Sequence, residues 1–582
     1  MLNGRWELAE AGKDTLCEVQ VPGSVLSGLY GAGKIEDPFY RTNEDATREL
    51  FWKDYEFGRT FVVAEDALKE EKVVLVCEGL DTLTDIYING KKAGSTDNMH
   101  RIWKLDVKEF LHAGENQIRI VFRSVFKYIE DYEYEENKEI HYVPCGGMKG
   151  NQLIRKAHCM FGWDWGPQTI DAGIFRDIYL EAYSHPRIED VKITQVHGDD
   201  AVDVCTTVTV SGDDVDKCRV RVSVLEDAEC VCGCDRADYK PEAGGKITLT
   251  STIHNPKLWW PNGYGDQPLY KVQVELLDEG GAVLETITKR IGLRTLTISQ
   301  EKDLWGKEFA FCVNGVKIFA MGGNYIPEDC IYSRITPELQ EYLLESCKRA
   351  NFNCVRVWGG GYYPSDHFYD LCDERGMVVW AEIPYISEHM PGGRENTISQ
   401  MRELIVQNYN HPSIVVWGVS NEITISTKDK KDMLDNHHVL NDLCHKMDPT
   451  RLTTLACYAM CGPFNRSAHI TDLVGWNLYL GWYVPGFFLN DLFLRFFHLV
   501  FPNRPIGYSE YGAEGMPNLH SRRPRRGDHT EEYQAKYHEY MIKCFERHPF
   551  MWSTYVWNMF DFAADARNQG GEPGMNHKGL VT

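Results

Sequence analysis

The chain has 582 residues, 43% of them hydrophobic and 12% aromatic, enough for about three or four domains with sizeable cores. Its 62 basic and 85 acidic residues leave a net charge of −23, which argues against a nucleic-acid or anionic-membrane partner. No run of about 18 apolar residues reads as a transmembrane helix, and the opening MLNGRWELAEAGK lacks the regions of a signal peptide. A cytoplasmic location is therefore expected, with the 18 cysteines as free thiols. The densest cluster, CVCGCD from Cys230 to Asp235, has neither C-x-x-C pairs nor nearby histidines, so no metal and no cofactor is expected.

In chain order, residues 1–180 read as all-β. Short alternating runs such as KVVLVCEG and NQIRIVFRSV recur, and Asn89-Gly90 in YINGKKAG is a hairpin signal. The pattern predicts a jelly-roll sandwich. Residues 181–296 repeat it in CTTVTVSG, CRVRVSVLED, GKITLTSTI and YKVQVELLD, with the size and spacing of an immunoglobulin-like sandwich. From residue 297 to 582, helical patterns such as TPELQEYLLESCKRAN alternate with buried-strand runs. The strand candidates are VKIFAMGGNY, CVRVWGG, GMVVWAEIP, IVVWGVSNE, LTTLACY, LVGWNLY, PIGYSEYG and TYVWNMFDF. Such alternation predicts a parallel sheet closed into a (β/α)₈ TIM barrel, with its active site at the C-terminal strand ends.

Polar residues collect at those ends: Asn324, Arg356 with Trp358, Glu382, Asn421-Glu422, Asn477 with Tyr479, Glu510, and Trp557 with Asp561. Glu422 and Glu510 lie three strands apart around the ring. Across such a mouth two carboxyl groups can approach to about 5–6 Å, the separation a retaining glycosidase needs. The tryptophans suit the apolar face of a sugar ring. A lone glutamate at a strand end is commonly a solvated rim residue or half of an ion pair. Two of them, with Asn before one and aromatics around both, point to catalysis. Glu382 reads as a supporting carboxylate.

At these residues the chain resembles glycoside hydrolase family 2, whose members join a jelly-roll sugar-binding domain, an immunoglobulin-like domain and a (β/α)₈ barrel. NHPSIVVWGVSNE resembles the family's acid/base segment, and PIGYSEYG its nucleophile segment. The resemblance implies Glu422 as general acid/base, Asn421 as a contact of the sugar 2-hydroxyl and Glu510 as nucleophile. Up to about residue 362 the chain is similar to β-mannosidases of the family, in VPGSVLSGLY, DPFYRTNE, RKAHCMFGWDWGP, GGNYIPED and VRVWGGGYY. That likeness implies that Trp163, Asp164 and Trp165 reach into the sugar site, with Asp164 bonding sugar hydroxyls. From about residue 363 it looks more like β-galactosidases, in QMRELIVQNYNHPSI and WNMFDFAADARNQGGEPGMNHKGLVT. SEYGAE and the N-x-K run Asn576, His577, Lys578 are similar to β-glucuronidases. A natural mosaic, an engineered chimera or a joined assembly would each give such a split.

The expectation is a retaining exo-β-glycosidase acting on terminal β-D-mannose of an oligosaccharide or glycoside, with β-galactosidase and then β-glucuronidase as alternatives. Its sugar contacts are expected at Trp163, Asp164, Trp165, Asn324, Arg356, Trp358, Asn421, Asn477, Tyr479 and Trp557, and a homo-oligomer is possible. NHKGLVT stops just after the eighth strand, so a shortened chain, or another surface over that strand, is expected. Two rival classes are a non-catalytic carbohydrate-binding protein, which need not keep both glutamates, and a β-sandwich scaffold, which leaves the strand-end polar groups unexplained.

Overall fold

The computed structural model describes residues 1–136, 147–162, 166–226, 229–233, 240–242, 244–302, 304, 306–427, 430–569 and 572–581. The first sandwich packs a six-stranded antiparallel sheet against smaller sheets. Its order runs Thr15–Val21, Gly4–Glu10, Tyr55–Val63, Gly114–Phe122, Thr84–Ile88, Lys91–Thr96. Alternation along these strands sends Phe57, Ile86, Ile118 and Ile120 into one core at 0% exposure. The second sandwich faces strands Arg187–His197, Ala201–Ser211 and Lys246–His254 against a four-stranded sheet carrying Arg219–Glu226 and Tyr270–Leu277. Val204 and Val208 meet Val220, Val224, Val272 and Val274 in its core, as the sequence's alternating valines require.

The barrel follows. Its closed sheet comprises β1 (Ala320–Tyr325), β2 (Cys354–Val357), β3 (Val378–Glu382), β4 (Ile414–Asn421), β5 (Leu452–Tyr458), β6 (Val474–Asn477), β7 (Ile506–Tyr511) and β8 (Ser553–Val556). All neighbours run parallel, and β1 pairs with β8 to close the ring. Helices α1 (Pro337–Arg349), α2 (Asp366–Arg375), α3 (Arg394–Asn408), α4 (Lys430–Met447), α5 (Phe488–Val500) and α6 (Glu531–Glu546) cover it. Each residue of β2, β3, β4, β6, β7 and β8 is buried, as expected for strands packed on both faces.

Three local differences from the sequence expectation stand out. VKIFAMGGNY is not one strand: Val316–Ile318 closes a small antiparallel sheet with Leu296–Ser299 and Ala310–Val313, and only Ala320–Tyr325 enters the barrel. The apolar run from Ile318 to Met321 carries no mark of that change of partner. Between β5 and β6 the described connection holds the short 3₁₀ turns Ala459–Cys461 and Arg466–His469 in place of an α-helix. After β8 comes a hairpin of β9 (Phe562–Gln569) and β10 (Glu572–Asn576).

The two sandwiches grip opposite ends of the barrel. The second holds the N-terminal ends. Arg294 donates to the Pro412 and Ile414 carbonyls at 2.7 and 2.9 Å. The Asn410 side chain bonds Val191 O and Ile193 N at 2.8 and 3.0 Å. The first sandwich lies on the C-terminal side. Cys159 N donates to Gly360 O at 2.9 Å, and Gly166 N to Ala563 O in β9 at 2.6 Å. No helix among the described residues is long and apolar enough to cross a membrane.

Candidate active site

Arg356 is the hub of the barrel mouth. It stands in β2 with a fully buried side chain, a position that a cation occupies only with strong partners. Its Nη2 donates to Glu382 Oε1 and Oε2 at 2.9 and 3.1 Å and to Asn421 Oδ1 at 2.9 Å. Its Nη1 donates to Asn324 Oδ1 at 2.9 Å and Glu510 Oε1 at 3.0 Å. One guanidinium thus ties together β1, β3, β4 and β7. Its fork geometry suits the bidentate grip on Glu382.

Glu510 also accepts the Tyr479 hydroxyl on Oε2 at 2.9 Å. Asn477 donates its amide to Glu422 Oε1 at 2.9 Å and to Asn421 Oδ1 at 3.2 Å, while its own oxygen accepts the Ser509 hydroxyl at 2.6 Å. A continuous polar chain therefore runs Glu422–Asn477–Asn421–Arg356–Glu510–Tyr479. Glu510 is buried at 6% exposure, whereas Glu422 is half-buried.

Backbone irregularity aims these groups. The ladders of β4 with β5, β6 with β7 and β7 with β8 shift register at Gly418/Asn421, Trp476/Asn477 and Tyr508/Tyr511. Such bulges turn side chains at a barrel rim. Glu422 itself has φ +46°, a left-handed conformation that costs a non-glycine residue energy and recurs at functional sites.

Electrostatics divide the carboxylates. Burial pushes Glu382 up to about 7, against the downward pull of Arg356 and of the Gly359 amide, which lies 2.9 Å from Oε1. Burial alone would lower Arg356. The Glu382 and Glu510 carboxylates outweigh it and hold the guanidinium above its ordinary value.

The structure brings Asn324, Arg356, Asn421, Asn477, Tyr479, Glu422 and Glu510 into this one network, but not all of them in the expected stance. Asn324 was expected to touch sugar. Its amide instead donates to Ser509 O and Val556 O at 3.0 and 3.1 Å, bracing β1 against β7 and β8. Arg356 likewise directs its donors at protein oxygens. Trp358 and Trp557 are 3% and 2% exposed and meet edge-on, with centroids 5.5 Å apart. They belong to the first sandwich's apolar cluster, so they seal the seam between that domain and the barrel. The Trp163-Asp164-Trp165 expectation lies outside the described residues.

Sequence reasoning gave Glu382 only a supporting place, named Lys578 only through the likeness of its N-x-K run to β-glucuronidases, and missed Ser509 at the site. A charged residue inside the buried run CVRVW was the available signal for the Arg356–Glu382 pair. Lys578 lies over the Tyr479 and Tyr483 rings at 5.6 and 5.0 Å. Its ammonium donates to Tyr483 Oη at 2.7 Å and Glu514 Oε1 at 3.3 Å. Among the described residues, two clusters elsewhere carry metal-ligand residue types, Asp491–Cys544–His548 and Asp370–Asp373–His411. Arg547 already holds Asp491 at 2.9 Å and Arg290 holds Asp370 at 2.5 Å, so both read as ion-pair networks.

Comparison with known proteins agrees with this architecture. Residues 6–176 match the family description "Glycosyl hydrolase 2 galactose-binding domain-like", 187–294 "Glycosyl hydrolases family 2", and 311–582 "Glycosyl hydrolases family 2, TIM barrel domain". The chain is 31% identical to a β-mannosidase of Capra hircus over 452 residues, 72% of this chain and 49% of that protein. It is 32% identical to β-mannosidase B of Aspergillus clavatus over 414 residues, 69% of this chain and 48% of that protein. The chain thus spans about half the length of the curated relatives it matches. Among solved structures, a β-D-mannosidase from Dictyoglomus thermophilum superposes with TM-score 0.81 at 26% identity, over 100% of this chain and 75% of that one. An FMN-binding β-glucuronidase from Facaelibacterium prausnitzii L2-6 gives TM-score 0.80 at 28% identity, over 100% and 82%. With three consecutive domain matches and this barrel, the chain belongs to glycoside hydrolase family 2.

Proposed function

We propose that the protein is a retaining exo-β-glycosidase that releases terminal β-D-mannose. The observation that carries the reading is the unequal setting of two strand-end glutamates. Glu510 receives a guanidinium N–H and a tyrosine hydroxyl, contacts that favour the ionised form. Glu422, less buried, receives the uncharged Asn477 amide. Carboxyl groups in unlike environments divide into nucleophile and acid.

In the first step a Glu510 oxygen bonds to the anomeric carbon as the bond to the aglycone oxygen breaks, and Glu422 gives that oxygen its proton. In the second, Glu422 takes a proton from water, the water oxygen bonds to the anomeric carbon, and Glu510 leaves as carboxylate. Arg356 holds Glu510 in place, and Asn421 sits beside Glu422 where a 2-hydroxyl can be bonded.

Mannose is favoured by the relatives named β-mannosidase in goat and Aspergillus clavatus. The β-glucuronidase neighbour at 28% identity supports a second reading. Against it, the Lys578 ammonium is already paired with buried Glu514, at 1% and 0% side-chain exposure. That pairing leaves little net charge to attract a uronate. Rates on nitrophenyl β-D-mannoside, galactoside, glucuronide and glucoside test the proposal. The mannoside should be cleaved fastest, and a faster galactoside or glucuronide would overturn the mannose assignment.

A further inference from the structure

A second polar cleft lies beside the network, between the first sandwich and the loop after β3. It measures about 140 Å³ and is walled by Arg155 and His158 on one side and Tyr385, Glu388, Gly392 and Asn396 on the other. None of the residues of the Glu422–Glu510 network lines it. It adjoins that network through the backbone: Ile386 bridges Asn421, and Asn421 N donates to Tyr385 O at 3.0 Å.

His158 in the lining has hydrogen-bonding capacity that the described residues do not satisfy. His158 is 3% exposed, and among the described residues neither ring nitrogen has a partner, a costly arrangement for a buried polar side chain. Burial pushes His158 down to about 3, so near neutral pH the ring is uncharged. It then offers one N–H donor and one acceptor nitrogen. Among the described residues the Arg155 side chain, 7% exposed, bonds neutral oxygens, Gln400 Oε1 at 2.9 and 2.6 Å and the Pro384 carbonyl. Across the cleft stands the Glu388 carboxylate, 3.1 Å from Gln152 Nε2. A cation, a neutral donor–acceptor ring and an anion around one space match groups that both give and accept hydrogen bonds. Sugar hydroxyls are such groups. A cavity near 150 Å³ encloses a bare six-membered ring the size of benzene, so a hexose seated here keeps part of its hydroxyl shell outside the cleft.

We infer that this cleft is a second sugar subsite, which holds a neighbouring hexose of an oligosaccharide substrate through hydrogen bonds to His158, Arg155 and Glu388. The inference rests on the glycosidase reading above and names the substrate class more narrowly: oligosaccharides over simple glycosides.

Gly392 supplies the test. No atom lies within 4 Å of the place its Cβ would take, so Gly392→Trp starts a bulky side chain from open space at the cleft. The quantity to read is the ratio of kcat/KM on β-1,4-mannotriose to that on nitrophenyl β-mannoside. This ratio does not depend on how much of a preparation is folded. It should fall about tenfold in Gly392→Trp and in His158→Leu, the effect of losing a pair of hydrogen bonds. A ratio unchanged in both variants would overturn the subsite. Calorimetric titration of mannotriose into Glu510→Gln chains, with and without Gly392→Trp, reads the cleft without hydrolysis. Kd raised about tenfold by the tryptophan supports the subsite, and equal Kd values contradict it. If every glycoside proved inert while that difference in Kd persisted, the hydrolase reading would fall and the subsite would stand.

Discussion

Arg356 neutralises two buried carboxylates at once, Glu382 at 2.9 Å and Glu510 at 3.0 Å. Removing it leaves both without their cation in a low-dielectric site. Arg356→Met should therefore destabilise the chain by about 3–5 kcal/mol, as breaking a buried pair does, and cut kcat at least about 100-fold. Arg356→Lys keeps the charge but not the fork, so it should recover most of the stability and little of the rate. Thermal unfolding beside kcat separates the two effects, and a lysine variant with full activity would refute the hub role. Glu422→Ala should harm substrates with poor leaving groups far more than activated aryl glycosides, because only the former need a proton. Azide should partly restore turnover by replacing activated water, and equal losses on all substrates without rescue would remove Glu422 from its role. The glutamates were legible in the sequence because each ends a buried apolar run, IVVWGVSNE or PIGYSEYG. The satisfied state of Asn324 and Arg356 was not legible. Their partners lie up to 232 and 154 residues away, and only closure of the ring brings them together.

At the scale of elements, the strands that were easiest to read are those buried throughout, such as β4. Boundaries failed where an apolar run changes partner, as at Ile318 to Ala320, because hydrophobicity reports burial and not which sheet provides it. The turn between α3 and β4 shows how the acid/base strand is anchored. His411 Nδ1 lies 2.6 Å from Asp373 Oδ2 of α2, and Ser413 N donates to Oδ1 of the same carboxylate at 3.1 Å. Burial tends to lower His411, but Asp373 outweighs it and raises the imidazole above its ordinary 6.5. The folded state then holds this proton more tightly than the unfolded chain. The pair's contribution is present in full below about pH 6.5 and is lost as pH rises through the raised folded value. The stability gap between wild type and His411→Gln should narrow from pH 6.5 upward in urea unfolding. A gap that widens with pH would contradict the assignment.

Across the whole molecule, the sandwiches have different tasks because they sit at different ends of the barrel. The first flanks the C-terminal mouth, where Cys159 meets Gly360. The second buttresses the N-terminal ends, where changes act on stability. Asn410 bonds Val191 O and Ile193 N across that lower seam. Asn410→Ala leaves those backbone groups unpaired and should cost about 1–3 kcal/mol, with kcat/KM on an aryl glycoside within about twofold of wild type. A large loss of specificity without loss of stability would show that the lower seam reaches the site. Domain order was legible from the change of period, two in the sandwiches and helical after residue 297. The contacts between domains rest on single polar side chains such as Asn410 and Arg294, which leave no periodic trace.

The central claim is that Glu510 forms the covalent bond to the sugar. A 2-deoxy-2-fluoro-β-mannosyl fluoride slows release of the glycosyl-enzyme and allows it to be mapped by peptide mass spectrometry. The account predicts one label, on Glu510 in the peptide containing IGYSEYG. A label on Glu422 or Glu382 would contradict it.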